Sequence, residues 1–130
     1  MPAMKMEHLE DPANTIRNKI GSLDDFTIFG NFVLLGVYER PVKTKSGLYL
    51  SDQTRNEDKY QGKAGLVLKK GPTAFVSDSN YDFKGQDVAI GDWVSIWISD
   101  GRPLLINGQL VRLVEDQHIR LKIPVPDAVF

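Results

Sequence analysis

Asn107-Gly108 stands between two short apolar runs, Leu104-Leu105-Ile106 and Leu110-Val111. A two-residue hairpin turn needs positive φ at both central residues, and Asn-Gly tolerates it best, so the pattern predicts a β-hairpin. Similar punctuation recurs along the chain. Residues 26–38 are rich in Phe, Val, Ile and Leu, are interrupted by Gly30 and Gly36, and end at Arg40-Pro41, where proline withdraws a ladder donor. Ala64, Leu66 and Leu68 alternate with Gly65, Val67 and Lys69, and Gly71-Pro72 closes that strand. Residues 88–99 form a further strand region with a tight corner at Ile90-Gly91-Asp92, and Asp100-Gly101 is a turn. Ile119, Leu121 and Ile123 alternate with His118, Arg120 and Lys122, which predicts a last strand with one buried face. Six or seven short strands without a core helix predict an all-β domain, a small barrel or sandwich.

The length of 130 residues fits one domain. Residues 1–25 differ from the rest: they are polar and hold every methionine, Met1, Met4 and Met6. Ile16, Ile20 and Leu23 follow helical spacing there, with Asn14 or Thr15 as the cap, which predicts an N-terminal arm with a short helix. Residues 26–123 form the β domain. Residues 124–130, with Pro124, Pro126 and Phe130, form an extended tail. Residues 42–60 and 73–86 read as long connections, the second with a hairpin around Asp78-Ser79-Asn80.

Hydrophobic residues at 42% and charged residues at 25% predict a packed core rather than disorder. A net charge of -1 gives no general pull toward nucleic acid or acidic membranes. With no cysteine, disulfides and thiolate metal sites are excluded. No run approaches the ~18 apolar residues of a membrane helix, and the N-terminus has no signal-peptide pattern. The expectation is a soluble, cytoplasmic protein.

The chemistry of catalysis is thin. His8 and His118 lie far apart and read as surface residues without partners. Asp24-Asp25 reads as a solvated turn, because no other carboxylate or histidine has ligand spacing with it. No nucleophile elbow, phosphate loop or dinucleotide fingerprint occurs. The expectation is a binding protein, not an enzyme, with no cofactor and no metal. Trp93 and Trp97, four apart, fall on one side of a strand. They read as core or interface packing. A stacking platform for single-stranded nucleic acid is the other reading, but Asp92, Ser95 and Asp100 offer phosphates no basic track.

One segment stands apart. Lys45, Ser46, Gly47, Leu48, Tyr49 and Leu50 place an apolar tripeptide inside a polar, glycine-containing loop. Two readings fit: a docking segment that orders on a partner's groove, and a short core strand at Leu48, Tyr49 and Leu50. The order of elements resembles the co-chaperonin (GroES-like) family. In that family a first alternating strand, similar to residues 31–38, leads into a mobile loop of the form Lys-Ser/Thr-small-Gly-Gly-Ile-Val-Leu, which Lys45-Ser46-Gly47-Leu48-Tyr49-Leu50 resembles with one glycine fewer. Residues 62–72 are similar to its next strand and glycine turn. Val88-Ala89-Ile90-Gly91-Asp92-Trp93-Val94-Ser95-Ile96 resembles its Val-Lys-Val-Gly-Asp-x-Val-x-Phe segment. Leu110 through Val114, Glu115-Asp116 and Ile119-Arg120-Leu121 resemble its ending. The 25-residue arm and the Pro-Val-Pro tail have no family counterpart, and such extra arms resemble a bacteriophage-encoded version.

The resemblance implies a small, partly open β-barrel with a long mobile loop, assembled as a heptameric ring that caps an ATP-driven chaperonin and assists protein folding. It implies that the loop residues Lys45, Ser46, Gly47, Leu48, Tyr49 and Leu50 contact the chaperonin. It implies that Phe32, Leu34, Ile119, Leu121 and Ile123 build the subunit interface, the last strand of one subunit pairing with the first of its neighbour. The alternative expectation is a virion structural protein, a capsid decoration or cement subunit that reuses the barrel.

Overall fold

The structure is a computed structural model that describes residue 6 and residues 8–41, 43–61 and 63–129, the side chains of 58–61 excepted. Its centre is a six-stranded sheet made of β1 (Phe32–Val37), β2 (Ala64–Lys70), β3 (Trp93–Ser95), β4 (Arg102–Ile106), β5 (Gln109–Glu115) and β6 (Lys122–Ile123). The spatial order is β4-β5-β1-β2-β3-β6, and every neighbouring pair is antiparallel. The sheet is open, with β4 and β6 at its two ends. Helices are few: α1 (Pro12–Ile20), α2 (Asp52–Gln61) and short 3-10 turns at Asp116–His118 and Pro126–Ala128. None of those described is long and apolar enough to cross a membrane.

The hairpin signal is met at β4 and β5, where Ile106 pairs with Gln109 and the turn residues Asn107 and Gly108 have φ of 51° and 80°. β1 and β2 are buried without alternation, because both faces of the sheet are covered. On one face Leu34, Tyr38, Leu66, Leu68, Trp93 and Val111 pack with Ile16 and Ile20 of α1. On the other, Val33, Leu35, Val37, Val67, Val94 and Val114 pack with Val88 and Ile96.

The arm is therefore docked through its helix. Asp11 caps α1, its side chain accepting from the Ala13 N–H at 3.0 Å, and Pro12 occupies the first turn. The cap lies upstream of the predicted Asn14 or Thr15, because proline needs no hydrogen-bond partner there and lets the helix begin earlier. Gly36 permits the crossing: a Cβ at that position would meet Ile16 Cγ2 at 2.6 Å. The glycine in β1 thus marks the approach of a helix.

Several expected elements differ. The long connection at 42–60 ends in α2, which has no apolar stripe to announce it. Of residues 88–99 only Trp93–Ser95 join the sheet. Trp93 and Trp97 consequently part company, the first 8% exposed and the second 54%, because the strand ends between them. Asp78-Ser79-Asn80 forms a turn without flanking strands, its Asp78 carboxylate accepting from the N–H groups of Asn80 and Tyr81. The alternation of Ile119, Leu121 and Ile123 is cut short by the 3-10 turn at Asp116–His118, so only Lys122–Ile123 pairs, with β3.

The placement of the five expected interface residues follows. Leu34 and Ile123 belong to the chain's own core, Ile119 is half-buried, and Phe32 and Leu121 are exposed. The first strand is not an edge: β1 is paired with β5 on one side and β2 on the other, so no neighbour can add to it. The open ends belong to β4 and β6.

Candidate functional site

The Lys45-to-Leu50 segment folds as a compact turn governed by Thr44. The buried Thr44 N–H donates to the Leu48 carbonyl at 2.7 Å, and its own carbonyl accepts from the Gly47 N–H at 3.0 Å. Its hydroxyl oxygen accepts from the Leu48 N–H at 3.0 Å and lies 2.9 Å from the Ser46 hydroxyl. Gly47 takes a φ of +96°, a conformation side chains resist. An isolated antiparallel bridge joins Lys43 to Tyr49, and the Lys43 ammonium lies 5.7 Å from the Tyr49 ring centre.

This geometry excludes one of the two sequence readings of the tripeptide, the core strand. Leu48 is 62% exposed and Tyr49 74%, while Leu50 is half-buried. None of the three lies in the sheet, so they are not a core strand. Lys45, Ser46 and Gly47 are exposed on the same turn. The turn can offer two large apolar side chains to another surface at little further conformational cost.

Both ends of the segment are tied down. Ser51 opens α2, its hydroxyl accepting from the Thr54 N–H at 3.1 Å. Arg55 of α2 reaches back to β1's end, 3.6 Å from the Glu39 carboxylate. Between α1, the end of β1 and the turn lies a cavity of about 580 Å³, lined by Leu9, Ile16, Lys19, Tyr38, Tyr49 and Arg55 among others.

His8 and His118 each have a partner that sequence reading missed. His8 Nε2 lies 2.9 Å from Asp127 Oδ2, and the Tyr38 hydroxyl donates to Asp127 Oδ1 at 2.5 Å. The sequence separation of 119 residues between His8 and Asp127 left no local signal for the contact. His118 closes its 3-10 turn, its Nδ1 accepting from the Glu115 N–H at 3.3 Å. Asp24 and Asp25 lie in an exposed turn. No group of three or more His, Cys, Asp or Glu among the described residues could hold a metal ion.

A second organised surface surrounds Trp97. The Arg120 guanidinium sits 3.7 Å from the Trp97 ring centre and pairs with Asp100, Nη1 to Oδ2 at 2.5 Å. Buried Arg112 donates to the carbonyls of Ile98 at 3.1 Å and Asp100 at 2.7 Å, which fixes the loop's path. Arg120's hydrogen bond holds the Asp100 carboxyl below its ordinary value, against the opposing effect of burial. Burial lowers the Arg112 value, and nearby Asp100 opposes it. With Arg120 over the Trp97 ring, one of its faces is already taken, which weakens the stacking-platform reading.

Asp92, at the Ile90-Gly91-Asp92 corner, accepts from the Ala89 N–H at 2.8 Å; that bond, with help from Lys122, holds its carboxyl below the ordinary value. Comparison of the chain with protein-family models and with curated proteins gives no match.

Proposed function

We propose that the chain is a co-chaperonin: a non-enzymatic cap that grips a chaperonin ring through the turn carrying Leu48 and Tyr49. The observation that carries the reading is the exposure of these two side chains on a hydrogen-bonded turn outside the sheet. Large apolar groups held out from a folded surface favour a protein partner with a complementary groove. The turn sits between β1 and β2, as the mobile loop does in the resembling family. A single turn of this size binds weakly, and several joined in a ring bind tightly.

The six-stranded antiparallel sheet, with apolar packing on both faces, is compatible with a partly open GroES-like barrel. Ring closure by strand exchange needs edges. β6 offers its outer edge and the 51%-exposed Leu121. Because β1 is paired on both sides, the receiving partner in this reading is the segment ahead of it. Residues 26–29 lie in no strand, and Phe29 is 77% exposed.

The test is native mass measurement of the purified protein, alone and with a chaperonin and ATP. A heptamer that joins the chaperonin supports the reading. A monomer that ignores the chaperonin and adds only to capsids would replace it with the virion decoration reading.

A further inference from the structure

We propose that the N-terminal arm and the C-terminal tail form a clasp that holds the Leu48 and Tyr49 turn in its folded geometry. The clasp is centred on Asp127, whose carboxylate is used from several sides. Oδ2 accepts from the Met6 N–H at 3.3 Å and lies 2.9 Å from His8 Nε2. Oδ1 accepts from the Tyr38 hydroxyl at 2.5 Å, and that hydroxyl is 3.3 Å from His8 Nε2. Arm and tail are thus joined at one carboxylate. Tyr38 anchors them to the sheet, its ring meeting Trp93 edge-on at 5.8 Å within the core.

The connection to the turn runs through Met6. Its side chain is fully buried, and its backbone forms an antiparallel bridge with Thr44. Thr44 is the residue whose N–H, carbonyl and hydroxyl make the turn's hydrogen bonds with Gly47 and Leu48. Asp127 therefore acts on the turn in two steps: it fixes Met6, and Met6 fixes Thr44. A short turn gains little stability from its own bonds, because each bond inside it must offset the entropy of ordering several residues. A neighbour that pins Thr44 supplies the missing constraint. Pre-folding then reduces the ordering that any partner must impose on Leu48 and Tyr49. The clasp stands on this geometry alone; only the use of a pre-folded turn rests on the chaperonin reading.

Hydrogen exchange of the full-length chain, without any chaperonin, tests the clasp separately from that reading. In Asp127→Ala the Thr44, Gly47 and Leu48 amides should exchange about tenfold faster or more, while Leu35 and Val67 in the sheet change less than about twofold. Tyr38→Phe removes one hydroxyl while keeping the ring, and should shift the same three amides in the same direction by a smaller factor. It also reads the coupling should Asp127→Ala fold poorly. Turn amides that keep their rates in a folded variant would overturn the clasp. So would acceleration spread evenly over turn and sheet, since Asp127 would then be a general stabiliser.

Discussion

Replacing Leu48 with Ser separates a docking side chain from a structural one. A leucine taken fully out of water contributes about 1.5–3 kcal/mol. Leu48 remains 62% exposed, so it realises about two-fifths of that at most, roughly 1 kcal/mol. The introduced hydroxyl meets water and adds no penalty of burial. The turn's hydrogen bonds use the Leu48 backbone, which the substitution preserves. Thermal unfolding should therefore shift by no more than about 5 °C. Leu66, fully buried in the sheet, is the reference: Leu66→Ala should cost about 2–5 kcal/mol. Binding to a chaperonin should behave oppositely, with Leu48→Ser weakening it more than tenfold, because the same loss repeats at each subunit of a ring. Calorimetry and a chaperonin pull-down with ATP read the two effects. A Leu48→Ser protein that melts as early as Leu66→Ala would refute the exposure argument, and one that binds undiminished would refute the docking argument.

Gly36→Ala should cost about 1–3 kcal/mol by pressing its methyl on Ile16, and less in an Ile16→Ala background; additive urea midpoints would mean that α1 does not press on β1 there. Asp100's carboxyl has a folded value below its unfolded one, so its contribution to stability is present above about pH 4 and is lost as pH falls through the folded value. Urea midpoints measured down the acid range should therefore fall less steeply for Asp100→Asn than for the parent, and parallel curves would contradict the assignment. Leu121→Pro should keep the carbonyl that accepts from the Ser95 N–H while removing the N–H of residue 121 and fixing its φ at the start of β6. Analytical ultracentrifugation should then show folded, dissociated subunits, and an intact ring would rule out strand exchange at β6.

Sequence reading went furthest where the signal was local. Asn107-Gly108 specified its hairpin because positive φ at both positions is a property of those residues. The helical spacing of Ile16 and Ile20 was legible, and both are buried in α1. Where structure depends on distant partners, the sequence was silent. α2 is polar all round, so periodicity could not reveal it; Ser51 as a cap was the one usable sign. Trp93 and Trp97 have strand spacing, but the strand stops at Ser95 and sends them into different surroundings. The pairing of Lys45-to-Leu50 with a buried Thr44 was equally hidden, since a threonine in a polar loop resembles any other.

The two-sided burial of β1 explains why the arm cannot be an incidental appendage. A sheet with one wet face alternates apolar and polar residues, whereas Val33, Leu34, Leu35 and Val37 are all apolar and all buried. One face is closed by segments of the β domain itself, through Val88 and Ile96. The other is covered by α1, with Ile16 resting where Gly36 leaves room. Removing α1 would take Ala13, Ile16 and Ile20 out of the cluster that holds Leu34, Leu66 and Val111. An arm that is already committed to this face, and whose Met6 is held at Thr44, has fewer residues left to reach a neighbouring shell subunit. The same arm is well placed to stiffen the turn it touches. That combination favours a protein whose arm serves its own domain and whose exposed turn serves a partner.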